Sequence, residues 1–380
     1  MIRKWIILAL AAVLLFMNTP QKTEAVSVSA QSAILIEQDS GRVIYEKDAH
    51  TVRRIASITK IMTAILAIES GKLDRQVKVS ENAARTEGSA IYLKPGEKIK
   101  LEDLTYGLML RSGNDSAAAI AEYVGGSLDG FAYLMNQKAE EIGMKNTHFA
   151  NPHGLDDHEN HHSTAYDMAI LTRYAMNNEI YRKIAGTKVH RAPNPNESWE
   201  RVWHNKNRLL TDLYEYCTGG KTGYTKRAKR TLVTTASKKG LDLIAVTLNG
   251  PDDWNDHIQM YESTFGYYKL VEVLPEGKIE GVKSKVYKNK LYLEHPVYYP
   301  VTKKEEKLLN VKYQLLKPRK EWKDSTQVPN IVGKAIIYFD EKPVKELPVH
   351  FEKTEKKEEN SFFKLFKSIF TSIIGLDKNG

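Results

Sequence analysis

The chain opens on an unbroken apolar run, Trp5 to Met17, preceded by Arg3 and Lys4. The run is too short for a bilayer-spanning helix. Thr23-Glu24-Ala25 behind it resembles a small-x-small cleavage site, so residues 1–25 read as a signal peptide and the mature chain starts near Val26. An uncleaved N-terminal anchor is the alternative. The pattern then turns to β-rich runs. Ala33 to Glu37 and Arg42 to Glu46 flank Asp39-Ser40-Gly41, which predicts a hairpin. From Ile55 to about Ala185 the spacing is mainly helical. Ile55, Ile58, Ile61 and Met62 mark one apolar face; Leu101, Leu104, Leu108 and Leu110 mark another, followed by Ala117, Ile120 and Val124. Residues 128–143 read as a further helix stopped by Gly143. Strand signals return after Lys221, at Thr231 to Ala236 and Leu241 to Leu248, joined by the turn Lys238-Lys239-Gly240.

These elements predict an α+β domain over 26–270. An antiparallel sheet is built from both ends of that segment, with helices on its faces. From about Val273 short strands alternate with turn residues, which predicts a small β-rich domain over 271–352. A charged linker, KTEKKEEN, occupies 353–360. In the tail 361–380, Phe362, Phe363, Phe366, Ile369, Phe370, Ile373 and Ile374 recur at helical spacing, with Lys364, Lys367, Ser368 and Thr371 opposite. The run is too broken to cross a bilayer. It predicts an amphipathic helix lying on an anionic membrane surface. A helix docked on its own protein is the alternative, and the charged linker argues against it.

Composition adds less. The chain is 42% hydrophobic and 27% charged, ordinary for a soluble protein, and its 380 residues suit two domains. A net charge of +9 favours an anionic partner such as a wall polymer or acidic lipid. No nucleic-acid motif accompanies it. The lone Cys217 rules out a disulfide within the chain. It follows Tyr214 and Tyr216 and reads as a packed thiol.

Lys60 is out of place on an apolar helix. Ser57 lies three residues before it, one turn away on the same face. A serine hydroxyl needs a base, and a desolvated lysine can lose its proton and serve as one. A helix starting near Ala56 also leaves the Ser57 backbone N–H free for an oxyanion. S-x-x-K alone is weak; a second copy, Ser361 to Lys364, lies in the tail. Two further segments strengthen the first. Arg111-Ser112-Gly113-Asn114 interrupts the helical pattern, and its glycine predicts a tight turn presenting Ser112 and Asn114. Gly219-Gly220-Lys221-Thr222-Gly223-Tyr224 opens a strand. A glycine-flanked lysine and threonine on an edge strand suits an extended, carboxylate-bearing substrate. Ser80-Glu81-Asn82 is also S-x-N but lacks such a setting.

The order S-x-x-K, S-x-N, K-T-G is the signature of penicillin-binding proteins and serine β-lactamases. RRIASITKIMTA, LMLRSGNDSAAAIAE, NPHGLD and GGKTGYT together resemble the low-molecular-mass D-alanyl-D-alanine carboxypeptidases over essentially the whole mature chain. Within them the chain is most similar to the sporulation-type enzymes of endospore-forming bacilli, a form of penicillin-binding protein 5. The resemblance implies a β-lactamase/transpeptidase-like catalytic fold with no cofactor and no metal. Its substrate is the peptidoglycan stem peptide, and β-lactams are covalent inhibitors. It also implies a location on the outer face of the cell or forespore membrane. By the same resemblance Ser57 is the nucleophile, Lys60 its general base and Ser112 the proton carrier to the leaving group. Asn114, Lys221, Thr222, Gly223 and Tyr224 bind substrate, and the N–H groups of Ser57 and Tyr224 form an oxyanion hole. The division of proton transfer among Lys60, Ser112 and Lys221 stays open.

Three rivals are weighed. His158-Glu159-Asn160-His161-His162 is formally the zinc-peptidase motif H-E-x-x-H, but its surroundings read as loop. Thr164 to Asp167 reads as a capping box, so the next helix starts after His162. A serine β-lactamase needs a deacylating carboxylate, and no convincing E-x-x-L-N occurs. A penicillin sensor needs a transmembrane signalling segment, which the pattern does not offer.

Overall fold

The computed structural model of the chain describes residues 26–353, apart from positions 196, 283 and 324. The segments read above as a signal peptide (1–25) and an amphipathic helix (361–380) lie outside the described residues, as does the second S-x-x-K. The chain forms two compact units that divide between Gly266 and Tyr267.

In chain order the first unit contains strands β1 (Ser32–Glu37), β2 (Val43–Lys47), β3 (Gln76–Lys78), β4 (Lys98–Lys100), β5 (Val189–Ala192), β6 (Arg201–His204), β7 (Cys217–Thr225), β8 (Lys229–Lys238) and β9 (Leu241–Leu248). Its helices include α1 (Lys60–Glu69), α2 (Leu101–Tyr106), α3 (Asn114–Gly125), α4 (Leu128–Glu141), α5 (Ala165–Met176), α6 (Glu179–Ala185) and α7 (Asp253–Tyr267). Five strands form an antiparallel sheet in the order β2-β1-β9-β8-β7. The two ends of the unit meet where β1 pairs with β9, Ile34 opposite Val246. Alternation assigns the faces. Ile34, Ile36, Val233, Ile244 and Val246 join the large core with the helices. Leu232 faces the other way, into a small cluster with Trp254 and Ile258 of α7. This is the predicted sheet with helices on both faces.

One strand pair departs from the helical reading of residues 55–185: β3 pairs with β4. A second pair, β5 with β6, lies beyond that segment, in a stretch the pattern left unassigned. β3 and β4 are three residues long, each with one buried side chain, Val77 and Ile99. Such short strands carry too few alternations to register as a period. The S-x-N at Ser80 has a local explanation. Ser80 caps a short helix, its hydroxyl accepting from the Ala83 N–H at 3.0 Å.

Helix α1 is the hub. Residues Lys60 to Ile65, Ala67 and Ile68 are all buried. Helices α2 to α6 all touch it. The pattern predicted one apolar face; burial on every side makes it a central helix. The opposite side of the sheet is sealed by α7. His257 of α7 is fully buried and bridges two strands, with Thr234 Oγ1 2.6 Å from Nδ1 and Thr247 Oγ1 3.0 Å from Nε2.

The second unit is β-rich, as predicted. Strands β10 (Tyr268–Leu274) and β13 (Val297–Thr302) pair as one ribbon. A second sheet has the order β11-β12-β16-β15-β14, formed by Gly277–Lys278, Leu291–Leu293, Lys342–Phe351, Ile331–Phe339 and Leu309–Leu315. Its core gathers Tyr287, Leu291, Val332, Ile337, Val349 and Phe351.

Burial lowers the His257 pKa from 6.5 to about 3. Between those values the unfolded chain holds a proton that the folded chain excludes, so stability falls as pH drops through that window. His257→Gln is expected to flatten the acid side of the stability profile by about 1.4 kcal/mol per pH unit. Urea unfolding of both proteins at pH 6 and pH 4.5 measures the difference.

Candidate active site

The turn carrying Ser57 is fixed from three sides. Ala56–Thr59 forms a 3-10 turn that runs straight into α1. Ile55 O accepts a hydrogen bond from Thr231 Oγ1 of β8 at 3.0 Å. Ala56 has φ of +49°, a left-handed conformation that costs a non-glycine residue energy and needs outside support. Its carbonyl accepts from Thr59 Oγ1 at 2.7 Å. Behind Thr59, the buried His161 accepts the Ala150 N–H at Nδ1, 3.1 Å away. Its proton therefore sits on Nε2, which donates to Thr59 Oγ1 at 2.8 Å. Burial pushes the His161 pKa down to about 3, so this neutral tautomer holds at neutral pH. Gly154, at φ +85°, closes over the same carbonyl. A Cβ there would fall 1.9 Å from Ala56 O.

Lys60 is the first residue of α1 and has 0% exposure. Its Nζ lies 3.2 Å from Ser57 Oγ, 2.7 Å from Asn114 Oδ1 and 2.6 Å from His153 O. Burial, and after it the charges of Lys221 and Lys206, hold its pKa well below the usual lysine value; Asp115 opposes them. A neutral amine has two N–H donors and one lone pair. The two acceptors without hydrogens, Asn114 Oδ1 and His153 O, take the donors. The lone pair is left for the Ser57 hydroxyl, which donates to it. Asn114 is itself oriented, because its Nδ2 donates to Glu87 O at 2.6 Å.

A second serine–lysine pair faces the first. α2 passes into a π-helical turn, Gly107–Arg111, and Ser112 follows it at φ +63°, ψ +33°. The sequence reading placed the special backbone at Gly113. Gly113 instead has φ −59°, and its lack of a side chain serves space, since a Cβ would lie 2.8 Å from Asp115 Oδ1. Lys221 Nζ donates to Ser112 Oγ at 3.0 Å and to Thr222 O at 2.7 Å. Burial and the charge of Lys206 lower the Lys221 pKa to about 7.

β7 is the edge strand beside these pairs. Gly223, opposite Thr231, lets its backbone approach the Ser57 turn; a Cβ would stand 3.0 Å from Ser57 N and 2.3 Å from Thr231 Oγ1. Thr222 is half-buried, and Tyr224 projects its ring into solvent. The structure thus gathers two hydrogen-bonded sets, Ser57–Lys60–Asn114 and Ser112–Lys221, close enough for the Lys221 charge to act on Lys60, with Thr222 to Tyr224 on the adjoining edge. Cys217, at the start of β7, is buried, and its thiol is pushed up to about 11.

His158 to His162 forms no helix: Glu159 and Asn160 lie in a turn and His162 bridges to His148. α5 starts at Ala165 with Thr164 Oγ1 accepting the Asp167 N–H at 3.0 Å, as the capping pattern predicts. Glu159 is held by Arg54 at 2.7 Å and by Arg227 at 2.6 and 2.8 Å. Sequence reasoning missed the supporting residues: Thr59, His161, Asp115, Lys206 and the carbonyls of Glu87 and His153. Two of these act through carbonyl oxygens, which leave no residue-type signal. Thr59 and Asp115 did stand inside the motifs.

The two lysines are expected to titrate far apart from surface lysines. Side-chain 15N NMR should show Lys221 Nζ titrating near pH 7. Lys60 should give a neutral-amine signal at a pH where exposed lysines remain charged.

Known proteins fit this geometry. The family profile described as D-alanyl-D-alanine carboxypeptidase matches residues 18–252, and one described as penicillin-binding protein 5, C-terminal domain, matches residues 268–357. The D-alanyl-D-alanine carboxypeptidase DacF of Bacillus subtilis (strain 168) is 34% identical over 354 residues, 89% of this chain and 88% of that protein. The crystal structure of the carboxypeptidase DacD from Francisella tularensis superposes with a TM-score of 0.65 at 26% identity, covering 89% of this chain and 97% of that one. The D-alanyl-D-alanine carboxypeptidase from Mycobacterium tuberculosis H37Rv does so with a TM-score of 0.61 at 30% identity, covering 65% and 95%. With both units matched and the S-x-x-K, S-x-N and K-T-G segments converged, the chain belongs to the D-alanyl-D-alanine carboxypeptidase family of serine peptidases.

Proposed function

We propose that the protein removes the terminal D-alanine from peptidoglycan stem pentapeptides through an acyl-enzyme on Ser57. The observation that carries this reading is the buried Lys60 amine, with its lone pair free for Ser57 Oγ at 3.2 Å. Lys60 takes the hydroxyl proton as Oγ attacks the carbonyl of the penultimate D-alanine. The tetrahedral oxyanion faces the N–H groups of Ser57 and Tyr224. Ser112, bonded to Lys221, passes a proton to the departing amine, the C–N bond breaks, and D-alanine leaves. Water then hydrolyses the ester, with its proton returning through the same groups. Lys221 and Thr222 receive the terminal carboxylate of the substrate. A β-lactam acylates the same oxygen, which makes it a covalent inhibitor.

The protein acts outside the cytoplasm in this reading. Residues 361–380 hold it on the outer membrane face as an interfacial helix, within reach of vegetative wall or spore cortex.

Release of D-alanine from diacetylated Lys-D-Ala-D-Ala tests the reaction. Wild type turns over and is labelled covalently by penicillin; Ser57→Ala is expected to do neither. Lys60→Met is expected to slow acylation by roughly 10²–10⁴-fold while leaving the fold intact by circular dichroism. Labelling of Ser57→Ala would overturn the assignment. For the anchor, a chain ending at residue 360 should move from the membrane pellet to the supernatant; continued sedimentation would refute it.

A further inference from the structure

We propose that the cavity beside Ser112 and Asn114 is a subsite for the sugar portion of a glycopeptide substrate. This rests on the activity proposed above and names a second part of the molecule that the site recognises. The cavity, about 580 Å³, lies between the segment Gly88–Lys94 and the segment Asn194–Lys206. It adjoins the catalytic cluster directly. Asn114 N donates to Ser89 O at 2.6 Å, and Lys206 Nζ to Ser89 Oγ at 3.3 Å. Arg111, next to Ser112 in the chain, lines it.

Three features point to a ligand there. Tyr92 has φ of +62°, an outlier for a bulky residue, yet its ring is 84% exposed. The backbone is pinned on both sides of it by one fully buried carboxylate: Asp115 accepts the Ile91 N–H at 3.0 Å and the Leu93 N–H at 3.1 Å. A conformation of this kind persists only when its surroundings impose it, and such strain gathers at ligand clamps. Trp199, 60% exposed, stands on the other segment lining the cavity. Asn194 also lines it; the residue is buried, and among the described residues its Oδ1 has no hydrogen-bond donor. An acceptor left without a partner in a buried position is costly, and a ligand donor would satisfy it.

The charge pattern selects the chemistry. The cations of the segments away from Ser112 are already engaged: Lys94 with Glu197 at 2.8 Å, and Arg201 with Glu97 at 2.8 and 3.1 Å. A carboxylate at that end meets only engaged cations, whereas Arg111 and Lys206, at the Ser112 end, have no carboxylate partner among the described residues and can face a charged part of the peptide. An uncharged ring with an apolar face and N–H or O–H donors does fit, stacking on Tyr92 or Trp199 and donating to Asn194 Oδ1. An N-acetylated amino sugar has that chemistry.

The test compares kcat/KM for a pentapeptide bearing an N-acetylglucosaminyl-N-acetylmuramyl disaccharide with that for the same pentapeptide without sugar. Wild type is expected to favour the glycopeptide by roughly five- to tenfold, the value of one or two stacked rings. Tyr92→Gly, Trp199→Ala and Asn194→Ala should each bring the ratio toward one without changing turnover of the bare peptide. Tyr92→Gly also relieves the left-handed backbone, so its Tm should hold or rise. Equal use of the two substrates by wild type overturns the proposal, as does a loss shared equally by both substrates in the variants. Binding of the disaccharide alone to Ser57→Ala protein, read as quenching of Trp199 fluorescence against a Trp199→Phe blank, separates the two readings. An enzyme inactive on both peptides would defeat the proposed activity, while quenching would still support the sugar subsite and its absence would refute it.

Discussion

A primary amine is held without water one turn from a serine hydroxyl, and the catalytic unit is organised around that desolvation. Removing an ammonium group from water costs several kcal/mol, so the proton is the part the protein gives up. Lys60 is surrounded by helices on all sides because α1 is the hub of the fold. Two fixed acceptors, Asn114 Oδ1 and His153 O, absorb its N–H groups. The nearby Lys221 adds repulsion without adding a counter-ion. Burial and the charges of Lys221 and Lys206 favour the neutral base; the two acceptors orient the amine, and Asp115 opposes the shift.

The serine side of the pair is equally constrained. The Ala56–Ser57 peptide is turned into a left-handed start that an alanine resists. Its carbonyl accepts from a buried hydroxyl, which a buried imidazole fixes in turn, and a glycine that alone fits the gap closes over it. That same peptide carries the Ser57 N–H. Holding one end of the amide fixes the direction of the other, so the residues behind the turn set the orientation of the proposed oxyanion donor. Gly223 completes the arrangement by letting the edge strand close on the turn from the opposite side.

Much of this was legible in the chain. The three motifs identified the cluster because chemistry-bearing residue types at fixed spacing are visible without coordinates. Alternation and helical spacing also revealed the sheet assembled from both ends and the β-rich second unit. What escaped was of another kind. Strands β3 and β4 are too short for a period. The left-handed residue is Ser112 although Gly113 advertises it, because the turn's geometry is set by the π-helical stretch before it. The contributions of Glu87 and His153 are carbonyl oxygens, which every residue has. His161 stood in a motif that pointed to zinc, and only its neighbours in space reveal it as a prop for Thr59.

The pairing of β1 with β9 has a consequence for assembly. Ile34 and Val246 are neighbours in space but lie near opposite ends of the unit. β1 therefore has only β2 beside it until nearly the whole unit is available, and closing so long a loop comes late in folding. A chain emerging from its N-terminus carries Ser57 and Lys60 early, but in water, where the lysine keeps its proton and the hydroxyl stays inert. Reactivity is thus withheld from the unfolded polypeptide and arises only once the helices have closed around Lys60.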